Sequence, residues 1–285
     1  MSRTVTDYGK SMQKKVLNLS HERGISNEKM LIKYILDRLL YRISISEYLD
    51  NFILKGSSLA YVFLQEYSRV TRDIDLLAQN ISNDCETIKN VFKKICSLTC
   101  EVDGLLFDLD SITVKPIQSN KKYAGNRVSM VALLGKSKTV IKFDIGYDEV
   151  ITPGAMLLNY PSLFPNLPAT KLYTYNLETV LAEKIETMIS RGEDNTRMKD
   201  YYDIWNIMTH CDYNESLLKR AIKNTCEHRN TVPDKNSIVF SMEFYTMNKK
   251  MILSWNNFLK KCEIPYISFT EIGEFICKNV RALIC

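Results

Sequence analysis

A short apolar strand pattern, Phe52-Ile53-Leu54-Lys55, runs into Gly56-Ser57, and residues 58–72 separate that dipeptide from Asp73-Ile74-Asp75. Few folds accommodate this order. A strand must turn sharply into a helix at the glycine, and a second strand must then present two acids on one face. Successive strand side chains alternate between faces, so Asp73 and Asp75 project together while Ile74 enters the core. At the start of the helix, backbone N–H groups and the positive end of the dipole are available to phosphate. A Gly-Ser dipeptide alone reads as a plain turn; the acids downstream turn it into a candidate site. Val70, Ile74, Leu76 and Leu77 make the second strand at least half buried, and buried carboxylates are costly unless paired or bound to metal. Arg69 or Arg72 is the ion-pair alternative to a divalent cation, whose preference for hard oxygen ligands two carboxylates and substrate phosphates would meet.

A third carboxylate is expected from a neighbouring strand. Val140-Ile141-Lys142-Phe143-Asp144-Ile145-Gly146 alternates, with Asp144 on its polar face, and Asp144 is the natural candidate. Asp108 and Asp110 read more simply as surface acids, and Asp148 lies beyond Gly146. Strand-like runs cover 104–117, 126–134 and 138–147, the last two joined by Gly135-Lys136-Ser137; helical spacing covers 5–22, 27–43, 57–65 and 84–98.

Between Glu149 and Lys171 no charged residue occurs, a length that on paper spans a bilayer. Pro153, Gly154, Pro161, Pro165 and Pro168 break it into an extended linker. The expected domains are therefore 1–165, an α/β domain with N-terminal helices, and 166–285, with helices near 177–190, 197–210, 214–228, 248–262 and 270–283. In the first of these, Lys184 falls inside the apolar stripe of Leu177, Val180, Leu181, Ile185 and Met188, with Arg191 on the same side. It either snorkels or reaches a phosphate. Asp200 and Asp203 share one side of the next helix and read as a solvated acidic edge pairing with Arg197 or Lys199.

Composition narrows the class. With 45% hydrophobic and 25% charged residues the chain is made like a folded globular protein. A net charge of +5 argues only weakly for nucleic acid, and the dibasic pairs Lys121-Lys122, Lys249-Lys250 and Lys260-Lys261 read first as solvated faces. Eight cysteines without a CxxC pair, and three histidines, give no zinc motif. The N-terminus carries no apolar core for export, so reduced cysteines in a cytoplasm, away from membranes, are expected.

Taken together, Gly56-Ser57, Arg69-x-Thr71-x-Asp73-x-Asp75, Phe143-Asp144, Ala182-Glu183-Lys184, Arg191 and Arg197-Met198-Lys199-Asp200-Tyr201-Tyr202-Asp203 resemble the abortive-infection AbiEii/AbiGii toxin family. That family belongs to the DNA polymerase β-like nucleotidyltransferase superfamily, and the resemblance covers residues 30–210. It implies an α+β fold, with a polymerase-β-like nucleotidyltransferase domain built on a small mixed sheet and followed by a mainly helical domain. It implies transfer of a nucleotide from an NTP with release of pyrophosphate. Asp73, Asp75 and Asp144 then correspond to catalytic ligands of a pair of Mg2+ ions, and Lys184 to a catalytic cation. Gly56, Ser57, Arg69, Arg191, Lys199, Asp200 and Asp203 correspond to nucleotide-binding positions. Some members modify the acceptor end of tRNA under the restraint of a cognate antitoxin, so tRNA or another RNA and an antitoxin are the implied partners. The segment between Ser57 and Asp73 is longer here than in many members of the superfamily, and residues from 214 on match no landmark. A small-molecule nucleotidyltransferase of the antibiotic-modifying kind and a catalytically silent RNA- or partner-binding protein stay open as alternatives.

Overall fold

A computed structural model describes residues 7–64, 74–117 and 125–284. Helices α1 (Tyr8–Glu22) and α2 (Asn27–Ser44) lead into strand β1 (Phe52–Lys55), helix α3 (Gly56–Leu64), strand β2 (Asp75–Ala78) and helix α4 (Cys85–Ser97). Strands β3 (Leu105–Ile117), β4 (Gly125–Leu134), β5 (Ser137–Gly146), β6 (Met156–Tyr160) and β7 (Thr170–Thr174) follow. The rest is helical: α5 (Leu177–Arg191), α6 (Met198–His210), α7 (Glu215–His228), α8 (Met242–Thr246), α9 (Lys249–Cys262) and α10 (Phe269–Phe275). The helix expected over 270–283 is α-helical only to Phe275 and continues as a π turn, Ile276–Val280. Helix starts fall where polar caps stand. Asp7, Ser26, Asp84, Asn176, Asn214, Asn248 and Ser268 each accept the backbone N–H three residues on, a contact of about 1 kcal/mol each.

The strands form one mixed sheet in the order β3-β4-β5-β2-β1-β7-β6. β2 runs antiparallel to β1 and parallel to β5, and β1 runs parallel to β7. Phe92 of α4 packs between Phe52 and Phe143, with ring centroids 5.2 and 4.9 Å away. A buried charge cluster pins α2 to the start of β3. Asp103 accepts from Arg38 Nε at 2.9 Å and from Arg42 Nη1 and Nη2 at 2.6 and 3.1 Å, while Arg42 Nη2 also donates to the Leu105 carbonyl.

The chain divides into two compact, interleaved units. Among the described residues, the first comprises those within Met1–Ser58, Val70–Asp148 and Met156–Thr174, and the second those within Leu59–Arg69, Glu149–Ala155 and Tyr175–Cys285. The expected boundary at 165/166 is thereby corrected, because the proline-rich stretch is not a plain linker. A five-residue run within it, β6, pairs with β7, which begins at the last residue of the stretch, and the two join the sheet through β1. Pro161, Pro165 and Pro168 lie in the connection between them, where a missing N–H disturbs no ladder. No helix among the described residues is long and apolar enough to cross a membrane. In the second unit α5 packs on α6 and α7, and α9 on α6 and α8. Tyr201, Tyr245, Trp255 and Phe269 fill that core with rings at edge or tilted angles.

Candidate active site

A row of four charges crosses four neighbouring strands of the sheet. Lys55 of β1 pairs with Asp75 of β2, Asp75 with Asp144 of β5, and Asp144 with Arg127 of β4. Directly paired residues share a face, so the row reads Lys, Asp, Asp, Arg, on strands about 4.8 Å apart. Leu76 and Ile145, the next pair along, turn to the other face and are fully buried. Like charges directly opposite one another are destabilising, and cations at the ends of the row, or one bound between the acids, offset that. Asp75 and Asp144, both expected from strand alternation, are thus brought together. Asp73 and Arg69 lie outside the described residues.

Gly56 supports this row at close quarters. Its backbone is left-handed, with φ +71°, and a Cβ there would stand 2.4 Å from Asp75 Oδ2 and 3.1 Å from Asp75 Cγ. Any larger residue would meet both a backbone cost of about 1–2 kcal/mol and the carboxylate itself. Ser57 and Ser58 follow, buried in the first turn of α3. The first-turn N–H groups of a helix have no intrahelical acceptor, and here that turn begins against the Asp75 carboxylate.

Sequence reasoning misses the two ends of the row, Lys55 and Arg127. The Arg127 guanidinium donates from Nε to Asp144 Oδ1 at 2.8 Å and from Nη2 to Oδ2 at 2.7 Å, a bidentate geometry. The pair is open to water, with the Arg127 side chain 55% and that of Asp144 34% exposed, so solvent screens it to about 0–1 kcal/mol. A signal for Arg127 exists in the hairpin: Gly135-Lys136 sets Leu134 opposite Ser137, and counting back along the ladder puts Arg127 opposite Asp144. The same counting does not reach Lys55, because α3 stands between β1 and β2 in the chain.

A hard divalent cation fits this face in part. Two adjacent carboxylates have the donor chemistry Mg2+ prefers, and the absent side chain at Gly56 lets the Asp75 carboxylate lie against the start of α3. Against this, both oxygens of Asp144 accept from Arg127. Among the described residues, no group of three or more His, Cys, Asp or Glu is arranged to hold a metal ion.

The helical unit accounts for the lysine inside an apolar stripe. Lys184 Nζ of α5 donates to Asp203 Oδ2 at 2.8 Å and to Asp200 Oδ1 at 3.4 Å, both on α6 and both buried. Asp200 also accepts from Arg197 Nε at 2.6 Å. Asp200 and Asp203 are therefore interior partners of a lysine, where their spacing alone reads as a solvated edge. Arg191 stands exposed at the end of α5, and Lys199 is half-buried. A second cluster gives no sequence signal at all. Arg229 donates to Glu186 at 2.7 Å, Glu149 at 2.8 Å and Glu183 at 2.7 Å. Burial works against the Arg229 charge, yet the carboxylates of Glu183 and Glu149 outweigh it and push the guanidinium pKa above its ordinary value.

Among solved structures the chain resembles JHP933 from Helicobacter pylori, with a TM-score of 0.51 and 12% identity over 90% of this chain and 92% of that one. It also resembles an antigenic nucleotidyltransferase-like protein from Paracoccidioides brasiliensis, with a TM-score of 0.40 and 13% identity over 70% of this chain and 88% of that one. At such identities the likeness to JHP933 speaks for the fold alone. No curated protein sequence matches the chain. The family profile described as "Nucleotidyl transferase AbiEii toxin, Type IV TA system" matches residues 38–271. That match continues through α9 and past the point where sequence landmarks end, and the chain belongs to the AbiEii nucleotidyl transferase toxin family.

Proposed function

We propose that this nucleotidyltransferase toxin transfers a nucleoside monophosphate from an NTP to the 3′ end of an RNA, tRNA in the first instance, and does so with Mg2+. Membership in a type IV toxin–antitoxin family implies a nucleotide substrate and an antitoxin partner. The observation that carries the rest is the row Lys55, Asp75, Asp144, Arg127 beside Gly56. Asp75 and Asp144 would hold the metal, with Asp73 as the third ligand that the family resemblance implies; when bound, the ion would supply the positive charge that phosphates need.

The chain's own groups have distinct tasks in this mechanism. Gly56 lets the backbone approach Asp75, so that the first turn of α3, with Ser57, offers its N–H groups to the β- and γ-phosphates. Lys55 and Arg127 flank the acids and offset negative charge on that face. The acceptor hydroxyl oxygen attacks the α-phosphorus, the bond to the bridging oxygen breaks, and pyrophosphate departs as the hydroxyl proton passes to solvent. Positioning and fixed charge supply most of the acceleration. Lys184, its charge balanced by Asp200 and Asp203, holds α5 to α6.

The test is incubation of the protein with each labelled NTP, Mg2+ and total cellular RNA, beside the Asp75→Ala variant. Label entering RNA with the native protein and not with the variant is expected. Label confined to small molecules, or RNA labelling that survives in Asp75→Ala, would overturn the proposal.

A further inference from the structure

Helix α9 stands apart from the other helices in its charge. Its sequence, Lys249-Lys250-Met251-Ile252-Leu253-Ser254-Trp255-Asn256-Asn257-Phe258-Leu259-Lys260-Lys261-Cys262, holds lysines at both ends and no acid. All four lysines are exposed, and none makes an ion pair with a described residue. On α7, by contrast, Lys219 and Lys223 pair with Glu215 and Glu227 one turn away. At 100° per residue the four lysines, Leu253, Asn256 and Asn257 fall within an arc of about 140°. Met251, Trp255 and Leu259 lie on the opposite side and enter the core. From Lys249 to Lys261 the face runs about 18 Å at 1.5 Å per residue.

The first turn is the part that folding does not explain. Helices α2, α4, α5, α6, α7 and α10 each carry an acid there, as the helix dipole favours. α1 and α3 carry no acid in that turn either, but among the described helices α9 alone begins with two cations, which the dipole opposes. An anionic partner removes that penalty. The face is also poor in apolar groups, with Leu253 alone among lysines and asparagines, whereas protein-binding patches centre on buried aromatic or apolar anchors. Lysine and asparagine are donors suited to phosphate and sugar oxygens.

We infer that this face of α9 holds the phosphate backbone of the RNA acceptor, an assignment that rests on the RNA-acceptor function proposed above. Contacts of this kind are independent of sequence and weaken with salt in proportion to the number of phosphates engaged.

The experiment measures tRNA affinity of the full chain across a salt series for the native protein, the quadruple variant K249A/K250A/K260A/K261A, its all-arginine counterpart, and the α7 control K219A/K223A. Circular dichroism melting checks each fold. With about 0.7–0.9 of a slope unit per phosphate, the quadruple alanine variant should lose about 3 units of salt dependence and bind tRNA at least tenfold more weakly at low salt. The arginine variant should bind normally, and the α7 control should lose less than half as much per lysine removed. Should the quadruple alanine variant melt early, K249A/K250A and K260A/K261A made separately should each give about half the effect. Native salt dependence in the quadruple variant, equal loss per lysine in the α7 control, or poly-glutamate competing as well as tRNA at equal charge would overturn the inference. If the native protein labels RNA while the quadruple variant binds it normally, the α9 assignment falls and the RNA-acceptor function stands. A native protein that neither binds nor labels RNA removes both.

Discussion

Two aspartates of the sheet unit are each clasped by arginine, and the clasps serve opposite ends. Asp103 is held by Arg38 and Arg42, with side chains at 2% exposure or less; Asp144 is held by Arg127 on an open face. The bonds are alike in length, 2.6 to 3.1 Å in the first case and 2.7 to 2.8 Å in the second. Their surroundings are not. In the interior, removing one partner strands the other's charge in a poor solvent, so the pairing cannot be traded. At the surface, water already competes for both ions, and the pairing yields to another partner at small cost. The same chemistry therefore makes a fixed joint between α2 and β3 in one place and an exchangeable anionic face beside Gly56 in the other.

If burial is what separates the two clasps, Asp103→Asn should show the largest effect. It leaves Arg38 and Arg42 without their counter-charge, and a loss of about 3–5 kcal/mol is expected, a large part of the roughly 5–15 kcal/mol that holds a typical domain folded. Denaturant unfolding would measure it. The effect should also depend on pH with a definite sign. Burial raises the Asp103 pKa, but the hydrogen bonds and charge of Arg42, with hydrogen bonds from the Leu105 N–H and Arg38, outweigh burial and hold it below the ordinary value. Its stabilisation is then fully present above the unfolded-state pKa of about 3.9 and is lost as pH falls through the lower folded-state value. The gap between native protein and Asp103→Asn should be level near neutrality and shrink below about pH 4. A gap that stays level into strong acid would break the comparison.

How far the sequence shows this contrast depends on the range of the contact involved. Local signals carry well. Ser26 and Asp84 mark helix starts, and alternation in 138–147 puts Asp144 on the face opposite Phe143. Contacts between distant segments do not carry. Lys184 is recognisable as misplaced in an apolar stripe, but the acids that receive it, Asp200 and Asp203, look like a solvated edge until α5 and α6 are packed. Arg38 and Arg42 stand one turn apart on the buried side of α2, yet nothing in the chain points to Asp103 as their shared partner. β6 and β7 escape notice because prolines crowd the connection between them and the strands themselves are short. Of the proposed site, the acids and the glycine are legible from period and turn chemistry. Of the two cations, Arg127 can be reached by counting back from the Gly135 turn, whereas Lys55 requires the register of the sheet.

A change at Gly56 sharpens the comparison from the other side, since it disturbs the open face without touching the buried joint. Gly56→Ala places a methyl group where Asp75 Oδ2 now lies and costs about 1–2 kcal/mol for the left-handed backbone. The larger effect should be on transfer. Displacing a reacting group by about 1 Å costs on the order of a hundredfold in rate, so labelled-NTP incorporation should collapse while the melting temperature moves only modestly. Normal incorporation in a folded Gly56→Ala protein would mean that Asp75 is not part of the reacting centre.

Arg127→Ala tests the exchangeable clasp itself and should perturb the fold least. Screening at this exposure leaves about 0–1 kcal/mol at stake, so unfolding should be almost unchanged. The informative readout is the Mg2+ requirement. Arg127 now occupies both oxygens of Asp144, and its removal takes away a competitor and a like charge at once. The Mg2+ concentration for half-maximal transfer should therefore fall a few-fold, whereas Asp144→Ala should abolish transfer outright. If Arg127→Ala loses activity with its Mg2+ requirement unchanged, the guanidinium serves the substrate rather than competing for the metal, and the open clasp is no more exchangeable than the buried one.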